Sequence, residues 1–139
     1  PQTTFSTCFG APFMPLHPTK YAEMLSDKVG KTGINVWLIN TGWNGQKKRM
    51  SLKDTRAVIN AALEGKLDNI DYKKDPFFGF EIPVSIEGVD ATKLDPANSF
   101  DSHETYEENA KVLAAKFKAN FKTFEEFASK ELLAGGPVI

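Results

Sequence analysis

Five cationic side chains, Lys47, Lys48, Arg49, Lys53 and Arg56, fall within one short stretch of this chain. They follow two closely spaced glycines and a tryptophan in Thr41-Gly42-Trp43-Asn44-Gly45-Gln46, and they share the stretch with the hydroxyls of Ser51 and Thr55. Cations around a glycine-containing loop attract an anionic ligand such as a nucleotide. Ser51 suits a helix N-cap and Asp54, three residues on, is an acidic partner for the first turn. A helix starting at Leu52 would then turn its unpaired N–H groups and positive dipole end towards the loop. A plain solvated basic loop explains the same charges, and both readings stand at this point.

Two elements would position that loop. Ile34-Asn35-Val36-Trp37-Leu38-Ile39 reads as a largely buried strand, and the amphipathic run from Leu52 to Leu63 reads as a helix stopped by Gly65. In open α/β sheets a loop between such elements lies at the carboxyl end of a strand, where ligands bind. An earlier helix is expected after His17, with Pro18 in its first turn and Tyr21, Met24, Leu25 and Val29 at helical spacing. His17 is then a helix-start residue; with no ligand residue beside it, it has nothing to complete a metal or catalytic site. Gly30-Lys31-Thr32 copies the end of a phosphate-binding loop, but Leu25 holds the place of the first glycine and a strand follows where a helix should. It is a helix stop, with Gly30 or Gly33 as left-handed cap.

The remaining segments frame this unit. Thr3 to Leu16, with Phe5, Phe9, Phe13 and prolines at 12 and 15, is an aromatic-anchored loop. Within it Cys8 reads either as a reactive thiol or as a small buried apolar residue. Lys66 to Pro76, containing Tyr72, is a short strand or extended arm. From Phe78 onward Phe80, Ile82, Val84 and Ile86 alternate as in a strand with one buried face, and Pro83 marks an edge or a bend. Gly88 to Asp101 is turn-rich. Ser102 is another N-cap, followed by a long amphipathic helix with the stripe Tyr106, Ala110, Leu113, Phe117, Phe121 and Phe124. Its acidic start (Glu104, Glu107, Glu108) and basic continuation (Lys111, Lys116, Lys118, Lys122) match the helix dipole rather than a cation site. The fold class is α/β, a mixed sheet flanked by helices.

Composition narrows the function. At 139 residues and 41% hydrophobic the chain can bury its own core. Seventeen basic and 18 acidic side chains leave a net charge of -1, so nothing draws it generally to nucleic acid or an anionic membrane, and the basic loop is local. One cysteine excludes an internal disulfide framework and suits a reducing compartment. No apolar run approaches the roughly 20 residues that span a bilayer, and no secretory pattern opens the chain. The expectation is cytoplasmic. Pro1-Gln2-Thr3 carries no initiator methionine, as either Met removal before Pro or a fragment or cleaved product would leave it.

Three stretches carry a family resemblance. Asn40-Thr41-Gly42-Trp43-Asn44-Gly45 with Lys48-Arg49-Met50-Ser51-Leu52-Lys53-Asp54-Thr55-Arg56 resembles the adenine-binding segment of ATP-dependent phosphoenolpyruvate carboxykinases. Thr4 to Phe13 with Leu16 to Glu23, and Gly88-Val89-Asp90 with Leu94-Asp95-Pro96, resemble the same family in the same order. The resemblance runs over nearly all of residues 1–139. It implies the C-terminal part of the nucleotide-binding domain, with the upstream catalytic part outside this chain. It further implies conversion of oxaloacetate and ATP to phosphoenolpyruvate, ADP and carbon dioxide, in gluconeogenesis or its fermentative reverse. Adenine would be held at Arg49, Met50 and Thr55, while Mg2+, Mn2+, the phosphate loop and most of the oxaloacetate site would belong upstream of Pro1. The partner is then the rest of the same enzyme, with no nucleic acid and no membrane, and the chain alone is expected to be inactive. The alternative is a non-enzymatic nucleotide-binding or protein-interaction module.

Overall fold

The computed structural model describes residues 4–6 and 10–139; Cys8, for which a reactive and a buried role are both open, lies outside the described residues. The elements run α1 (Pro18–Thr32), α2 (Leu52–Leu63), β1 (Tyr72–Lys74), β2 (Glu81–Pro83), α3 (His103–Phe121) and α4 (Lys130–Ala134), with short 3-10 turns at Ala11–Phe13, Ala91–Lys93, Pro96–Ser99 and Glu125–Phe127. The protein is a helix-rich α/β chain whose described strands form one two-stranded antiparallel sheet, not the mixed sheet expected. It divides into two compact units, one of residues up to Val36 with Ala115–Gly136, the other of Trp37–Ala114 with Pro137–Ile139. No described helix is long and apolar enough to cross a membrane.

In the first unit, His17 takes the N-cap position of α1 and Pro18 occupies its first turn. Gly33, at φ 64°, is the left-handed C-cap, and Thr32 turns its hydroxyl back to the Lys28 carbonyl at 2.7 Å. Gly30-Lys31-Thr32 is therefore the end of a helix, as its surroundings in sequence required. The His17 ring lies 4.7 Å from Phe127 and 5.9 Å from Phe124, and its Nδ1 is 2.9 Å from Thr19 Oγ1. These contacts make it a packing residue.

The second unit holds two small cores. Val58, Ala61, Leu67 and Ile86 form one, with Trp37, Met50, Ile70 and Leu94 packed against it; Phe77, Tyr106 and Ala110 form the other, with Phe78, Ala97 and Phe100. The strands pair Tyr72 with Pro83, Lys73 with Ile82 and Lys74 with Glu81. Their connection turns on Asp75, whose buried carboxylate accepts the Phe78 N–H at 2.8 Å and the Tyr106 hydroxyl at 3.2 Å, and on Gly79 at φ 74°. Burial, then the Asp75 charge, pushes the Tyr106 phenol up to about 12.

Three further expectations need correction. Ile34 to Ile39 forms no strand, and Ile34, Val36 and Leu38 are 60%, 57% and 77% exposed. An apolar run signals a need for burial, but a strand also needs a neighbour to complete its hydrogen-bond ladder, and no described segment supplies one. The strand expected from Phe78 to Ile86 shrinks to Glu81–Pro83, because β1 offers only three residues to pair with and Gly88, at φ 79°, opens a turn close behind. The long helix stops at Phe121, where Thr123 bonds the Asn120 carbonyl through both its N–H and its hydroxyl. Such local bonding competes with helix continuation. Its buried row is Tyr106, Ala110 and Ala114, while Leu113 and Phe117 remain 38% and 44% exposed.

Candidate functional site

The basic loop is ordered by its own backbone. Trp43 and Arg49 form an isolated antiparallel bridge, the Asn44 N–H donates to the Lys48 carbonyl at 2.9 Å, and the Met50 N–H donates to the Gly42 carbonyl at 3.3 Å. The Asn44 side chain closes the tip, its Oδ1 accepting the N–H groups of Gln46 at 3.1 Å and Lys48 at 2.9 Å. That tight turn places Lys47 at φ 58°, a left-handed conformation uncommon for a residue with a Cβ. The 41–49 stretch is thus a small hairpin and not a free basic tail. Its cations, with Lys53 and Arg56, are all exposed, as attraction of an anion from solvent requires.

The loop is held from across the sequence. The Gly45 N–H donates to Ser99 Oγ at 3.0 Å, and a Cβ at Gly45 would lie 2.7 Å from both the Ser99 carbonyl oxygen and the Phe100 ring. Only glycine admits that approach.

Below the loop, α2 starts as its sequence suggests. Ser51 Oγ accepts the Asp54 N–H at 3.0 Å, and its hydroxyl donates to Asp54 Oδ2 at 2.7 Å. Lys93 Nζ reaches the same Oδ2 at 2.8 Å from the 3-10 turn Ala91–Lys93. The Lys93 hydrogen bond first, and the Ser51 hydroxyl next, hold the Asp54 carboxyl below the usual carboxylate range; Asp54 in turn raises Lys93. A buried carboxylate at the positive end of a helix, bonded to an ammonium, fixes where α2 begins.

The three residues singled out from sequence flank this start. The Arg49 guanidinium lies 5.4 Å from the centroid of the Trp43 ring. Met50 is half-buried, its side chain packed against the Val58–Ala61–Leu67–Ile86 core. Thr55 is half-buried in the first turn of α2, its N–H donating to the Ser51 carbonyl at 2.9 Å. An exposed planar cation, an anchored backbone and a hydroxyl thus lie within seven residues at one helix N-terminus. Together they offer a stacking surface, a hydrogen-bonding edge and positive potential. No cluster of three or more His, Cys, Asp or Glu able to hold a metal ion occurs among the described residues.

Sequence reading missed the supports rather than the loop. Lys93 and Ser99 lie 39 and 54 residues from their partners, with no local signal of either pairing. Gly45 beside Asn44 was the one visible hint of a tight, crowded turn.

Comparison with known proteins gives this loop its family. A phosphoenolpyruvate carboxykinase family model matches residues 1–92, and the chain belongs to that family. It is 51% identical over 142 residues to the phosphoenolpyruvate carboxykinase (ATP) of Christiangramia forsetii, and 54% identical over 142 residues to that of Flavobacterium johnsoniae. It is also 46% identical over 144 residues to that of Novosphingobium aromaticivorans. Each alignment takes in 99% of this chain but 27% of the relative, so the chain spans about a quarter of the length of the curated proteins it matches.

Proposed function

We propose that this chain is the adenine-binding part of an ATP-dependent phosphoenolpyruvate carboxykinase. The whole enzyme converts oxaloacetate and ATP to phosphoenolpyruvate, ADP and carbon dioxide in the cytoplasm. Carrying this reading is the match of 99% of the chain, basic loop included, to relatives named phosphoenolpyruvate carboxykinase (ATP).

The parts divide the work by their chemistry. Arg49 covers a face of the adenine with its guanidinium, the Arg49-Met50 backbone meets the base edge, and the Thr55 hydroxyl gives or accepts one hydrogen bond. Met50 contributes indirectly, since its side chain in the core keeps that backbone from shifting. The surrounding cations raise the local concentration of a polyanionic nucleotide. Phosphoryl transfer depends on positioning and on metal-borne charge, which the remaining polypeptide supplies through its Mg2+ and Mn2+ sites and phosphate loop. The exposed apolar run Ile34, Val36 and Leu38 is where this chain meets that remainder, because such a run seeks burial and a strand neighbour.

The test is steady-state kinetics of the complete enzyme. Thr55→Val removes one hydrogen bond with little change of shape and Arg49→Ala removes stacking area, so each is expected to weaken ATP binding by about 1 to 3 kcal/mol. The loss should appear in the KM for ATP, with the KM for oxaloacetate little changed, because adenine contacts are alike in ground and transition states. An unchanged ATP constant in both variants, or lost turnover with ATP affinity intact, would refute the assignment.

A further inference from the structure

We propose that Trp43 is a positioning residue for the nucleotide: its indole carries the Arg49 guanidinium and holds it in one orientation, so that the opposite face of the guanidinium is presented to the base. This rests on the reading of Arg49 as an adenine contact. Trp43 is 65% exposed and belongs to neither described core cluster, so burial does not account for it. The Arg49 guanidinium lies 5.4 Å from its ring centroid, within the range of cation–π attraction.

The backbone explains why the two meet. Residues directly opposite each other in an antiparallel bridge project to the same face, and Trp43 and Arg49 are such a pair. The two N–H groups captured by the Asn44 side chain and the Gly45 bond to Ser99 keep the hairpin in that register. An exposed arginine otherwise samples many rotamers, and ordering it on binding would cost affinity. Resting one face of the flat ion on an indole settles its orientation beforehand. The other face remains for a second ring, giving a stack of indole, guanidinium and adenine.

Four forms of the complete enzyme test this: Trp43→Leu, Trp43→Phe, Arg49→Ala and the Trp43→Leu/Arg49→Ala double variant, each assayed for the KM of ATP, the KM of oxaloacetate and kcat. Trp43→Leu is expected to raise the KM for ATP about two- to ten-fold with kcat changed less than two-fold, while Trp43→Phe, which keeps a ring face, recovers most of the loss. In the Arg49→Ala background the Trp43→Leu change is expected to add nothing, since a residue acting through Arg49 has nothing left to position. The same rise in both backgrounds overturns the proposal, as does no rise from Trp43→Leu while Arg49→Ala raises the constant. If Arg49→Ala itself leaves the KM for ATP unchanged, the adenine reading fails and the proposal falls with it. Should Trp43→Leu not fold, Trp43→Gln, polar and without a ring, carries the same comparison.

Discussion

Replacing Phe77 and Phe117 by alanine, one at a time, separates the packing of this chain from the pattern of its sequence. Phe77 is 5% exposed and meets Tyr106 edge to face, with ring centroids 5.6 Å apart and planes at 81°. Truncation removes nearly the whole buried ring and leaves a closed void, which costs about 3 to 5 kcal/mol, the upper part including the lost aromatic pair. Phe117 is 44% exposed, and its ring meets Phe5 at 5.2 Å. Little more than half its area is removed from water, and solvent can enter the space the ring leaves, so the transfer loss falls to about 1 to 2 kcal/mol with little cavity cost. Urea denaturation of the 139-residue chain, followed by far-ultraviolet circular dichroism, measures both. Phe117→Ala as costly as Phe77→Ala would show that the stripe through Leu113 and Phe117 is buried after all, and would refute the assignment of the core to Tyr106, Ala110 and Phe77.

Two further outcomes follow from the contacts. Gly45→Ala drives a Cβ to 2.7 Å from the Ser99 carbonyl oxygen, so the loop must shift; a stability loss of about 1 to 3 kcal/mol is expected, with a raised KM for ATP in the complete enzyme, and a silent variant would show that the approach is not that close. Tyr106 is raised from 10.0 to about 12, so its contribution is full below pH 10 and is lost as pH rises towards 12 while the unfolded phenol ionises first. Stability measured against pH should fall across that window in the parent and less steeply in Tyr106→Phe; equal slopes would contradict the burial of the phenol.

Local chemistry was legible in the sequence where one residue decides the outcome. Ser51 caps α2, Pro18 opens α1, Gly33 ends it and Gly65 follows α2 at φ 68°, each for a reason confined to a few residues. Hydrophobic periodicity served less well because it names a face without naming what covers it. Among the described residues Ile34 to Ile39 lacks the neighbouring strand that would make it one, and Phe117 shares the helix face of the buried Tyr106, Ala110 and Ala114 yet remains 44% exposed. The site divides in the same way. Its cations and cap were visible as a cluster, while the Lys93–Asp54 and Ser99–Gly45 bonds join residues that only the folded chain brings together. The approach of the Arg49 guanidinium to the Trp43 ring depends on the register of a bridge that no local pattern announces.

The most direct test of an adenine site here is photolabelling. The complete enzyme is irradiated with an ATP analogue bearing a photoreactive azide on the adenine ring, then digested, and the modified peptide is located by mass spectrometry. Insertion within Thr41–Arg56, abolished by excess ATP, is the expected result. Labelling that ATP protects but that falls only outside this stretch would contradict the assignment of adenine to the loop and the first turn of α2.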